Sequence, residues 1–206
     1  MKCAATCASR PVKPATPCRR SARVLKLYRA RLAANVAEPE SVLVNWLGER
    51  PGDVVVRNVL AEHYIQTGKG RDAIREYERI AAVDRSPLIE NNLAWLYHEV
   101  GDPRALETAR RAYDRLPQNA AIADTYGWIL LARGQVDEAL RLIQQAAQAA
   151  PQHPDIQYHY AAALEKAGRR QQAVETLRKL LQGTQPFPSR ADAEALLERL
   201  SGGGGS

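Results

Sequence analysis

The sequence has few of the residues that build β-sheets or disulfide frameworks. Its 206 residues include one Phe and three Cys, and Cys3, Cys7 and Cys18 all lie close to the start of the chain. No stretch approaches the roughly 20 apolar residues that a membrane-spanning helix needs, so no transmembrane segment is predicted. Abundant Ala, Leu, Arg and Gln, with few aromatic and β-branched residues, predict an all-α protein.

Acidic residues are missing from the N-terminal segment. Nine of the 29 basic side chains lie in residues 1–31, before the first carboxylate, Glu38, so the net charge of +6 comes from this N-terminal segment. The rest of the chain is slightly acidic, which favours a protein partner over nucleic acid. We predict a basic disordered arm at 1–24 and a flexible Gly-rich tail at 201–206.

The arm contains no recognisable metal or export motif. Its three cysteines have a spacing that fits no common zinc site, so neither a metal nor another cofactor is predicted. The residues after Met1 are too polar for a secretory signal, which predicts a cytoplasmic protein; the Arg-rich, acid-free arm also has the composition of a transit peptide.

Glycine and alanine recur with a period of about 33 residues, which indicates an internal repeat. Apolar residues spaced i, i+4 precede each glycine and mark one helix face, and a second amphipathic run follows each alanine. Each unit is therefore predicted to be a helix, a glycine turn and a second helix. The repeated positions are Gly68, Gly101, Gly134 and Gly168, with Ala73, Ala105, Ala139 and Ala173.

These residues resemble the tetratricopeptide repeat (TPR), which has a small residue in its first helix, a glycine turn, an alanine in its second helix and a final proline. Gly127, Gly134, Ala139 and Pro151 give the most complete match. The resemblance implies a right-handed α-solenoid of stacked helix pairs with a C-terminal capping helix. The predicted units are a degenerate unit at 25–53, full units at 54–86, 87–119, 120–153 and 154–187, and the cap at 188–200.

Three longer segments resemble the C-terminal part of PEP-CTERM/exosortase-associated TPR proteins of the PrsT type. They read NNLAWLYHEVGDPRALETARRAYDRLP, ADTYGWILLARGQVDEAL and FPSRADAEALL. Members of that family are typically larger, exported and often lipid-anchored, and they are linked to exopolysaccharide production and envelope sorting. The resemblance implies a fragment or short form of such a protein, located in the cell envelope or periplasm.

The TPR resemblance also implies a concave groove, lined by the first helix of each unit, that binds a peptide or protein. Glu62, Asp124 and Glu165 would make parts of this groove acidic and favour a ligand with some Lys or Arg. The residues implied to line it are Asn58, Glu62, Gln66, Asn91, Trp95, His98, Asp124, Trp128, Tyr158, Glu165 and Lys166.

Two of these residues, Trp95 and Trp128, carry the functional prediction. At about 100° per residue Trp95 points away from the seam formed by Leu93 and Tyr97, and Trp128 repeats this geometry one period later. The pair predicts an aromatic step suited to an apolar or proline-containing peptide. The alternative is that each indole packs against the neighbouring repeat and only fills the solenoid core.

No catalytic pattern accompanies the repeats. The four histidines, His63, His98, His153 and His159, lack metal-ligand spacing and are interpreted as surface or inter-repeat residues. The sequence therefore predicts a non-enzymatic interaction scaffold. Two alternatives remain: a polysaccharide-binding surface built on the tryptophan step, and docking of nucleic acid or anionic lipid through the basic arm.

Overall fold

The structure is a computed structural model that describes residues 19–183 and 186–202. These residues form eleven α-helices and no strand, which confirms the predicted all-α fold. None of the described helices is both long enough and apolar enough to cross a membrane. The helices are α1 (Arg19–Ala33), α2 (Ser41–Glu49), α3 (Val54–Gln66), α4 (Gly70–Ala81), α5 (Pro87–Glu99), α6 (Ala105–Arg115), α7 (Ala120–Ala132), α8 (Val136–Ala149), α9 (Pro154–Lys166), α10 (Arg170–Leu181) and α11 (Arg190–Gly202).

The starts of the first helices of the units are set by capping residues. Asp53 and Asn119 each accept a hydrogen bond, 3.2 Å long, from the backbone N–H three positions further on, at the starts of α3 and α7. Pro87 and Pro154 occupy the first turn of α5 and α9, where a missing N–H costs nothing. The chain therefore starts a helix at each of these four points for a local reason.

The turn inside each pair depends on a glycine in the left-handed region of backbone space. Gly68, Gly101, Gly134 and Gly168 have φ between +71° and +77°, a conformation that other residues adopt only at a cost. After Gly68 the N–H of Lys69 bonds back to a carbonyl of α3 over 2.8 Å, and the other three turns repeat this closure. The glycine period of the sequence is thus the period of the helix ends.

Small residues let the two helices of each pair approach closely. A Cβ atom added to Gly127 would lie 2.6 Å from Cγ1 of Ile143 and 3.2 Å from Cβ of Leu142, so α7 and α8 leave no room for a side chain. The corresponding residue in α3, α5 and α9 is an alanine with no exposed surface. These positions are the small residues that the repeat pattern identified.

The N-terminal helix pair is longer than predicted. Helix α1 begins at Arg19, so residues 19–24 of the segment predicted as a disordered arm are helical. The physical reason is long-range contact: the buried Ser21 donates a 2.6 Å hydrogen bond to Asp53, and the Tyr28 hydroxyl lies 2.9 Å from Nδ1 of His63. Residues 1–18, with the three cysteines, lie outside the described residues.

The C-terminal helix α11 covers the end of the solenoid by packing on α10. Ala193, Leu196 and Leu200 are buried and join the core of the last units. Ser189 directly precedes the helix, and its hydroxyl donates a 2.8 Å hydrogen bond to Asp155 of α9, which ties the cap to the neighbouring unit. The helix continues to Gly202, into the segment predicted as a flexible tail, and residues 203–206 lie outside the described part.

Candidate binding groove

The first helices of the units form the inner side of the stack. Helix α7 packs against both α5 and α9, whereas no comparable packing joins α4, α6 and α8 within the described part of the chain. The second helices instead contact the first helix of the next unit. Closer spacing on the side of α5, α7 and α9 makes that side concave, and α3 continues the row by its position in the repeat.

The centre of this side holds three rings from three successive units. Trp95 of α5 and Trp128 of α7 are half-buried, while His159 of α9 is only 3% exposed. The imidazole stacks on Trp128 with ring centroids 4.1 Å apart and planes 23° apart, and lies 6.1 Å from Trp95 at 28°. His159 therefore bridges the two indoles.

A buried carboxylate holds this imidazole in place. Oδ2 of Asp124 lies 2.8 Å from Nδ1 of His159, and Asp124 has no exposed surface. Because a carboxylate accepts hydrogen bonds, the Nδ1–H of the ring is the donor. The contact fixes the orientation of the ring against Trp128, which lies one helical turn after Asp124.

Two of the predicted groove residues, Asn91 and Asp124, do not line the groove surface because they are buried. Asp124 is fully buried and Asn91 is 1% exposed, so neither presents its side chain to a ligand on the groove surface. Each lies one turn before a tryptophan, at the same position in its repeat. The predicted acidic contribution of Asp124 to the groove is wrong, because its carboxylate is buried and accepts a hydrogen bond from His159.

The N-terminal end of the groove keeps one accessible carboxylate. Glu62 of α3 occupies the repeat position of Trp95 and accepts a 2.7 Å hydrogen bond from the amide of Asn58. Desolvation on the concave surface raises the pKa of Glu62, although part of the side chain still meets water, and the bond from Asn58 opposes this shift. Gln66 is exposed at the end of the same helix.

His98 extends the aromatic row toward the end of α5. It is half-buried, with its ring centroid 6.2 Å from that of Trp95. Burial, followed by the nearby charges of Arg133 and His159, lowers the pKa of His98. The groove around Trp95 is therefore kept free of positive charge from His98 at neutral pH.

The C-terminal end of the groove is closed by the cap. Glu165 pairs with Arg199 of α11 over 2.8 Å and lies 4.0 Å from the ammonium of the exposed Lys166, so its charge is compensated. Tyr158 lies 6.1 Å from Trp128 and flanks His159. Of the three predicted acidic residues, only Glu62 remains accessible without a cationic partner among the described residues.

Sequence reasoning missed His159 as part of the site. The inter-repeat part of its predicted role is confirmed, because the ring contacts Asp124 and Trp128 of the preceding unit, but its place at the buried centre of the ring cluster is not predicted by the sequence. The sequence does contain a signal for this contact, because His159 follows Asp124 by 35 residues, about one repeat period. Two residues one period apart lie on the first helices of adjacent units and at similar heights along them. Among the described residues, no group of three His, Cys, Asp or Glu could hold a metal ion.

Comparison with known proteins agrees with this architecture. A tetratricopeptide repeat family model matches residues 130–200. A search of curated proteins gives no match. The described chain is therefore a repeat protein of the TPR fold, as the sequence predicted, with its family match in the C-terminal part.

Three solved structures illustrate the similarity. MamA is 17% identical, with a TM-score of 0.63 over 84% of this chain and 93% of that chain. TTC0263 of Thermus thermophilus is 20% identical, with a TM-score of 0.65 over 87% and 98%. YrrB, described as a TPR protein with an unusual peptide-binding site, is 17% identical, with a TM-score of 0.57 over 77% and 84%. At these identities the similarity concerns the fold.

Proposed function

We propose that this protein is a non-catalytic scaffold that binds a peptide or protein segment in its concave groove. The observation that carries the proposal is the pair of half-buried indoles, Trp95 and Trp128, held on the inner side of the stack by the buried His159. Their occurrence at equivalent positions of successive units gives the groove a continuous apolar floor.

The packing of the core supports a binding role for these indoles. The two large core clusters, which run from α3 to α11, are built from other aromatic and aliphatic residues and do not include Trp95 or Trp128 among the described contacts. An indole that stays partly accessible outside a complete core leaves apolar surface for a partner to bury. Tryptophan is enriched among the residues that dominate binding energy.

The fixed position of the ring cluster also supports a binding role. Trp128 is stacked on His159, and His159 is fixed by its bond to Asp124, so the ring surface is in place before a ligand arrives. A preorganised side chain loses less conformational entropy on binding than a mobile one. The buried pair under the indoles therefore contributes to binding without touching the ligand.

The chemistry of the groove favours a particular kind of segment. Apolar side chains fit the indoles, and one Lys or Arg of the ligand fits the accessible Glu62, because no cation compensates it among the described residues. YrrB, which shares the fold at low identity, is described as having a peptide-binding site, and this analogy of fold supports a peptide over a small molecule.

The sequence resemblance adds a narrower proposal about the setting. The three segments that resemble PEP-CTERM-associated TPR proteins support a partner from a bacterial exopolysaccharide or envelope-sorting system. This proposal rests on those segments, and it is tested by the identity of the recovered partner.

The experiment is capture from native lysate with the full chain, followed by mass spectrometry. We expect a protein that is retained by the wild type and lost with Trp95→Ala/Trp128→Ala. The matched control is Val83→Ala/Leu116→Ala, which shortens two exposed apolar side chains just after α4 and α6, outside the groove. Circular dichroism checks that every variant keeps its helix content.

Two outcomes would contradict the proposal. Equal recovery with the wild type and the tryptophan variant would show that the contact lies elsewhere on the solenoid. A change of tryptophan emission on titration with polysaccharide, together with no recovered protein, would favour the polysaccharide-binding alternative, since sugar rings also stack on indoles.

A further inference from the structure

Helix α1 carries an excess of positive charge that the groove does not use. The helix has no acidic residue in its 15 positions, and the first carboxylate of the chain follows it at Glu38. Its basic residues are Arg19, Arg20, Arg23, Lys26, Arg29 and Arg31.

Four of these side chains are exposed and uncompensated. Arg20, Arg23, Lys26 and Arg29 are accessible to solvent, and none forms an ion pair with a carboxylate of the described residues. Elsewhere in the described chain, exposed basic residues are commonly paired: Lys69, in the turn between α3 and α4, lies 2.9 Å from a carboxylate oxygen of Glu40. The charge on α1 therefore faces outward without a carboxylate partner in residues 19–183 and 186–202.

The exposed charges share one face of the helix. At about 100° per residue, Arg20, Arg23, Lys26 and Arg29 span the half of α1 opposite the buried Leu25 and Tyr28. Since that buried side packs on α2 and α3, the cationic half points away from the solenoid. A ligand on it would not enter the groove formed by α5, α7 and α9.

An exposed leucine lies within the cationic face. Leu27 is 52% exposed and lies between Arg20 and Arg23 on the helical projection. A single exposed leucine is common on protein surfaces, but Leu27 lies among four uncompensated cations, so this face presents apolar and cationic groups together.

We propose that this face of α1 docks the protein on the surface of an anionic membrane. Arginine and lysine heads would lie against lipid phosphates, and Leu27, between Arg20 and Arg23, would enter the interfacial region. Nucleic acid would satisfy the charges but would leave Leu27 in water. An anionic bilayer surface accommodates both the cationic side chains and the exposed leucine.

The test is cosedimentation of the full chain with vesicles of phosphatidylcholine alone or mixed with phosphatidylglycerol. We expect binding to the mixed vesicles only. Arg23→Glu/Lys26→Glu should weaken it about 30-fold or more, because each basic side chain near an anionic surface contributes roughly a factor of five. The matched control is Arg178→Glu/Lys179→Glu, the same charge change on exposed residues of α10, and it should bind like the wild type.

A second variant separates membrane docking from simple charge attraction. Leu27→Ser leaves the charge unchanged and should still reduce vesicle binding by roughly three- to tenfold, because it removes the inserted apolar group. Equal loss with the α10 control, an unchanged affinity of Leu27→Ser, or tight binding to duplex DNA without vesicle binding would each overturn the proposal. Groove binding of the captured partner is unaffected by either result, so this proposal and the proposed function fail independently.

Discussion

At the scale of single residues, Gly127 shows how one missing side chain sets the distance between two helices. We predict that Gly127→Ala lowers the free energy of unfolding by about 1–2 kcal/mol, since overpacking against Ile143 outweighs the gain in helix propensity. Urea denaturation followed by circular dichroism measures this change.

A glycine in an open position gives the matched control. Gly48 lies in α2 and an added Cβ there meets nothing within 4 Å. Gly48→Ala should therefore raise the free energy of unfolding by about 0.5–1 kcal/mol. A stabilised Gly127→Ala variant would show that α7 and α8 can move apart and would contradict the close approach.

The hydrogen bond between Asp124 and His159 should contribute measurably to folding stability. Because the two side chains meet in a buried site, removing either leaves the other with a lost hydrogen bond, and each single change to Ala should cost about 1–3 kcal/mol of folding stability. The double variant should cost less than the sum of the two, with a coupling of about 0.5–3 kcal/mol. Denaturation of the four proteins in parallel gives this number, and strict additivity would argue against the contact.

At the scale of elements, α11 supplies the cover that the open end of a solenoid needs. Leu196 is 6% exposed against the last units, whereas its neighbour Ala195 is exposed on the other side of the same helix. Leu196→Asp should lower the free energy of unfolding by at least about 2 kcal/mol, because it removes a buried aliphatic group and buries a carboxylate.

The control for the cap is Ala195→Asp, which adds the same charge to the exposed side of α11. Its effect should stay within about 0.5 kcal/mol of the wild type. Thermal melts of both variants test the assignment. Similar melting of the two would mean that α11 does not cover the core.

The elements were predictable from the sequence wherever their ends have a local cause. Gly68, Gly101, Gly134 and Gly168 mark left-handed turns, and their period predicted the helix pairs. Asp53 and Asn119 are local signals for the starts of α3 and α7 that the prediction did not use. The start of α1 has no such local cause. It depends on contacts of Ser21 and Tyr28 with residues 32 and 35 positions away, which no local pattern could have predicted.

At the scale of the whole molecule, the repeat explains why the groove was only partly predictable. Periodicity placed Trp95 and Trp128 on the same side of successive helices, and the structure puts them there. It treated Asn91 and Asp124 in the same way, although both are buried beneath that surface. Depth below a surface depends on how much neighbouring side chains cover, which a helical projection does not contain.

The measurement that tests the central claim most directly uses the three tryptophans of the chain as reporters. Each indole N–H gives its own signal in a nitrogen–proton NMR spectrum. Trp46 is an internal control because its Nε1 donates to Asp53 over 2.8 Å in the N-terminal core, away from the groove.

Titration with the captured partner, or with a peptide derived from it, should shift the signals of Trp95 and Trp128 and leave that of Trp46 unchanged. This result would place the ligand on the aromatic floor of the groove. Binding that leaves both groove signals in place, or that moves Trp46 alone, would contradict the account.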